Sequence, residues 1–140
     1  MRKPLPIFFL LVFVLLLCGR APGQVLVIAN PAVAPAYVTR AELRDIFTGV
    51  SSSLKGGAQV TPVLLRQGPA HDEFLGLYIG KSDSGFRAGW RSILFSGQGV
   101  IPKTLGSDAA VVEYVAHTQG AIGYIAPATP HSGVKVLVVR

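Results

Sequence analysis

Apolar residues occur first as one unbroken run, Ile7 to Cys18, and then as short blocks separated by turns that carry glycine or proline. Val25 to Ala29 is an aliphatic, partly β-branched block that stops at Asn30-Pro31, the pattern of a buried strand closed by a turn. Residues 31–38 hold three alanines and two prolines and read as a loop. In Thr39-Arg40-Ala41-Glu42 the threonine hydroxyl can take the amide of Glu42 while the Glu42 carboxylate reaches back, so a helix starts there. Leu43, Ile46 and Phe47 form its apolar stripe, and Gly49 suits the left-handed position that ends it.

Ser51 to Gln59 reads as a flexible turn, and Val60 to Leu65 as a second strand whose Pro62 argues for a sheet edge or an irregular start. Gly68 then caps a helix with Pro69 at its first position, Asp72 and Glu73 in its first turn, and Phe74, Leu75, Leu77 and Tyr78 toward the core. After Gly80, Phe86, Trp90, Ile93 and Leu94 recur at the spacing of one helix face, with Arg87 and Arg91 on another. Gly97 to Pro102 is a loop. Ser107 caps a helix through His117 that carries Val111, Val112, Tyr114 and Val115 and stops at Gly120. Ala121 to Ala126 and Val134 to Val139 are the last strands. Four strands separated by three or four helices predict an α/β, three-layer-like sandwich with a mixed sheet.

The leading apolar run changes the picture of where the protein works. Arg2 and Lys3 precede its 12 residues, and Ala21-Pro22-Gly23 supplies small residues ahead of Gln24. A bilayer-spanning helix needs about 20 apolar residues, so residues 1–23 are expected to be a cleaved signal peptide and residues 24–140 one exported, periplasmic domain. Cys18 falls inside the run, and Leu17 before it disfavours lipidation; the remainder has no cysteine, which excludes thiol and zinc-thiolate chemistry. Without Arg2, Lys3 and Arg20 the domain carries 10 basic and 7 acidic residues, a net charge of +3. That balance attracts small anions mildly and lacks the dense basic face of a nucleic-acid binder.

Candidate chemistry concentrates in Leu65-Arg66-Gln67-Gly68-Pro69-Ala70-His71, where a strand passes through a glycine turn into a helix start. Such a junction aims backbone amides and a positive dipole end at an anion, and Arg66 can add a charge-assisted pair. Arg66 as a solvated residue beside an ordinary turn is the plainer alternative. No nucleophile elbow or other hydrolase signature is present. His71, Asp72 and Glu73 point in different directions on a helix, so they form no metal face and are expected to be surface polar residues; His117 and His131 stand alone. Neither catalysis nor a cofactor is expected.

The order of segments resembles one lobe of the phosphate-binding proteins of ABC importers, the type 2 periplasmic binding proteins. The matching residues are the strand end Val27-Ile28-Ala29-Asn30-Pro31, the helix Thr39 to Gly49 with its Asp45-Ile46-Phe47-Thr48-Gly49 ending, and Gly120-Ala121-Ile122-Gly123-Tyr124. The resemblance implies a phosphate-like anion held by Arg66, Gly68 and the amides of Ala70 and His71, and a membrane permease or sensor protein as partner. Pro69, Ala70 and His71 stand where the family carries serine, glycine and threonine, which removes an amide hydrogen and a hydroxyl. The length suffices for one lobe only. A protein-interaction module of the envelope without a small-molecule ligand is therefore the second reading.

Overall fold

The computed structural model describes residues 24–97 and 102–140. The segment expected to be a signal peptide, with Cys18, and most of the loop from Gly97 to Pro102 lie outside the described residues. Strand β1 (Leu26–Ala29) is followed by β2 (Tyr37–Val38), helix α1 (Arg40–Phe47), β3 (Thr61–Leu65) and α2 (Pro69–Phe74), which runs on as a π-helical turn, Leu75–Ile79. Then come α3 (Asp83–Phe95), β4 (Lys103–Leu105), α4 (Asp108–His117), β5 (Ala121–Ile125) and β6 (Lys135–Val139).

One mixed sheet runs β2-β6-β1-β5-β3-β4. Strand β1 is antiparallel to both β5 and β6, whereas β3 is parallel to β4 and β5 and β2 is parallel to β6. Helices cover both faces of the central strands. A Cβ built on Gly123 would meet Val111 and Val115 of α4, while the neighbouring Tyr124 stacks on Phe74 of α2 and meets the ring of Phe47 of α1. All five residues of β5 are buried for that reason. The capping box forms as its spacing requires: Glu42 N–H donates to Thr39 Oγ1, and Thr39 N–H to the Glu42 carboxylate. Asn30 is buried between elements; its Nδ2 donates to the Val115 and Ala116 carbonyls at the end of α4, and its Oδ1 accepts from Ala32 N–H.

Among the described residues the sheet has six strands rather than four. Strands β2 and β4 span two and three residues, too short to show alternation, and their parallel partners β6 and β3 are distant in sequence. The stretch from Ser51 to Gln59 is less free than its composition suggests: Ser53 bridges Gln59, Leu54 is buried, and Glu42 accepts from Lys55 N–H. Strand β3 is interior, despite Pro62. Thr61 N–H points toward β5, where it donates to Gly120 O, so the nitrogen of Pro62 faces the β4 side; pairing there begins only at Val63, and no ladder bond is lost.

In the second helix the apolar face also shifts. The π turn, closed by Gly80 N–H to Leu75 O, adds a residue to the turn and rotates the end of the helix; Ile79 is buried and Leu77 is exposed. In α3 only Phe86 is fully buried; Trp90 and Ile93 are half-buried, and Leu94 and Phe95 are exposed.

Candidate functional site

Strand β3 delivers the chain to the junction, and Gly68 turns it with φ 117° and ψ 173°, a conformation L side chains rarely adopt. Pro69 opens α2 with its fixed φ, and Asp72 N–H donates back to Gly68 O. The preceding amides, of Ala70 and His71, belong to the first turn, where no earlier carbonyl of the helix can take them. Arg66 is exposed on the same turn; its amide donates to Leu105 O. Arg66, Gly68, Ala70 and His71 are therefore neighbours in one strand-turn-helix unit. Ala70 and the His71 side chain are buried, so what these two offer an anion is backbone.

The burial of His71 overturns its reading as a surface residue. It shares a helical stripe with Phe74 and Leu75, and only 2% of it is exposed. Both ring nitrogens are engaged: Nδ1 lies 2.6 Å from Tyr124 Oη and Nε2 lies 2.7 Å from Asp83 Oδ1. Leu65 N–H already donates to Tyr124 Oη. The phenol proton is thus given to Nδ1, and Nε2–H donates to Asp83. Asp83, at the start of α3 after the capping Ser82, also takes Arg87 Nε on both oxygens at 2.9 Å, and Arg87 donates in turn to the Arg66 carbonyl. A single chain of hydrogen bonds thereby links β3, β5, α2 and α3 and returns to the turn that carries Arg66.

Two groups in this chain titrate away from their ordinary ranges. Burial pushes the Tyr124 phenol well up, which keeps it a neutral donor. Hydrogen bonds from Arg87, and then from His71, hold the Asp83 carboxyl below its ordinary 3.8. A carboxylate with a lowered folded value stabilises the protein above its unfolded value and loses that contribution as pH falls through the folded one. Asp83→Asn should therefore melt earlier than the wild type near neutral pH, with the gap closing below the ordinary value of 3.8. Melting curves from neutral pH to about pH 2 check this; a gap independent of pH would show that the carboxylate charge does not contribute.

Sequence reasoning placed the junction but not the side chains behind it. In the sequence Asp83 carries no signal of its own, Arg87 falls on the helix face away from the apolar stripe, and Tyr124 is part of a strand. The signal available for His71 was its spacing to Phe74 and Leu75. Among the described residues no group of three or more His, Cys, Asp or Glu side chains could hold a metal ion, and no helix is long and apolar enough to cross a membrane.

Solved structures share this fold. A protein described as a phosphate ABC transporter substrate-binding protein, from Clostridium perfringens with bound phosphate, superposes with a TM-score of 0.64 and 20% identity over 83% of this chain and 44% of its own. PstS from Borrelia burgdorferi gives 0.63 and 18% over 84% of this chain and 47% of its own. An ABC-type phosphate transport receptor from Vibrio cholerae gives 0.55 and 16% over 83% and 46%. The fold is that of one lobe of a phosphate-binding protein. The chain spans less than half the length of each of those three proteins. No protein-family model matches it, and no curated protein matches it in sequence.

Proposed function

We propose that this chain is an exported, periplasmic solute-binding-type protein, not an enzyme, that takes a small anion such as phosphate at Arg66, Gly68 and the amides of Ala70 and His71. The observation that carries the reading is the β3–Gly68–α2 junction, which sets an exposed arginine beside first-turn amides at the positive end of a helix. Support comes from the shared fold and from the phosphate bound in the Clostridium perfringens structure. Each charge-assisted hydrogen bond missing at Pro69 weakens binding by about 1.5–3 kcal/mol, so the affinity is expected to be modest and salt-sensitive.

Isothermal titration with phosphate and sulfate at low salt tests the proposal, and Arg66→Ala should weaken binding by about tenfold or more. Absence of binding at millimolar anion, or an Arg66→Ala variant that binds equally well, sinks it. The second reading, an envelope interaction module that engages a permease or sensor protein, is favoured by the exposure of Leu94 and Phe95 at the end of α3, 44% and 87%. It predicts partner capture that survives Arg66→Ala.

A further inference from the structure

Helix α3 stands off the end of β3 and β4 and leaves a cavity of about 290 Å³. Leu64, Leu65, Phe86, Trp90 and Pro102 supply apolar surface; Arg87, Arg91 and Thr104 supply polar groups, and His71 adds a ring whose two nitrogens are already engaged. The cations are not equivalent. Arg87 is held by Asp83 and the Arg66 carbonyl, whereas Arg91, four residues on along the same helix, makes no hydrogen bond or ion pair among the described residues. Thr104 is half-buried, and its hydroxyl likewise has no partner among the described residues. Trp90, also in the wall, is held by its Nε1–H donating to Phe47 O at 2.9 Å.

We infer that this cavity is a second binding site, for a small organic anion with an apolar body such as an aromatic carboxylate. Its volume lies at the low end of the range for ligand pockets, enough for one ring and a short arm and too small for a nucleotide. The ring takes the apolar floor beside Trp90, and the carboxylate takes the Arg91 guanidinium, which presents a fork of donors matched to two oxygens. Thr104 Oγ1 is a further donor. Bare phosphate lacks the body that fills the floor, and a neutral ring leaves Arg91 unmatched, so the site selects for both features together. The Arg66 side chain is not part of the cavity wall.

Trp90 is the only tryptophan in the chain, so its emission reports on the site directly. Titration of the purified protein with benzoate should change that emission saturably, with half-saturation at about 1 mM or below. Benzyl alcohol and inorganic phosphate should each bind at least about tenfold more weakly, and Arg91→Ala should weaken benzoate by about tenfold. Thr104→Phe, which fills the cavity from its strand wall, should abolish the response while leaving the melting curve cooperative. Arg66→Ala should leave benzoate binding unchanged, which separates this site from the anion turn. The inference is overturned if benzoate gives no saturable change, if benzyl alcohol or phosphate matches it, or if either Arg91→Ala or Thr104→Phe binds benzoate like the wild type.

Discussion

Tyr124→Phe should lower stability by about 3 kcal/mol, although it removes a single oxygen atom. Tyr124 is fully buried, and its hydroxyl serves two partners at once, accepting from Leu65 N–H and donating to His71 Nδ1. The stacking of the ring on Phe74, at 3.9 Å and 2° between planes, survives the change, so the loss isolates the hydroxyl. Leu65 N–H cannot turn to an alternative: β3 is in register with β5 only at Thr61 and Pro62, and beyond that point the hydroxyl stands in for a ladder acceptor. Two buried polar groups left without partners cost about 1–3 kcal/mol each. In a domain of this size the melting temperature should fall by about 10 °C. Urea unfolding checks the free energy, and a change below about 0.5 kcal/mol would mean that water or a local shift replaces the hydroxyl.

Gly123→Val should cost a similar amount for a steric reason. Gly123 has no positive φ and so needs no glycine for its backbone. The close approach of α4 is what requires it. A Cβ at this position would sit 2.9 Å from Val111 Cγ1, 3.4 Å from Val115 Cγ2 and 3.6 Å from Val63 Cβ. These are stiff, fully buried β-branched side chains, and overpacking of such a core costs about 1–3 kcal/mol. Adding Val111→Ala removes the methyl group that is struck first. The double variant should recover at least about 1 kcal/mol relative to additivity, measured as a thermodynamic cycle. Additive effects would place the strain somewhere other than the β5–α4 contact.

These two residues also show how far the sequence could be read. Gly120-Ala121-Ile122-Gly123-Tyr124 was recognisable as a strand by its apolar content and as a family-like phrase by its residues. Its two jobs, seating α4 on one face and closing the hydrogen-bond chain on the other, emerge from alternation only once the helices on each side are known. The turn between β3 and α2 was readable in the same partial way. Glycine followed by proline at a helix start is a local signal, and it places Arg66, Gly68, Ala70 and His71 in one strand-turn-helix unit. The burial of His71, however, depends on Asp83 and Tyr124, which are 12 and 53 positions away.

Local physics therefore determined a good deal here. The capping box at Thr39 and Glu42, the helix caps at Ser107 and Gly68, the left-handed Gly49 and the order of the main strands and helices rest on neighbours within a few residues, and the chain states them directly. Tertiary structure decided the rest. It paired β2 and β4 with distant partners, placed Pro62 in an interior strand, widened the end of α2 into a π turn, and left α3 standing clear of the sheet with a cavity behind it. Each of those outcomes depends on which groups meet across the fold, and hydrogen bonding and close packing between segments distant in sequence leave no periodic trace within either segment.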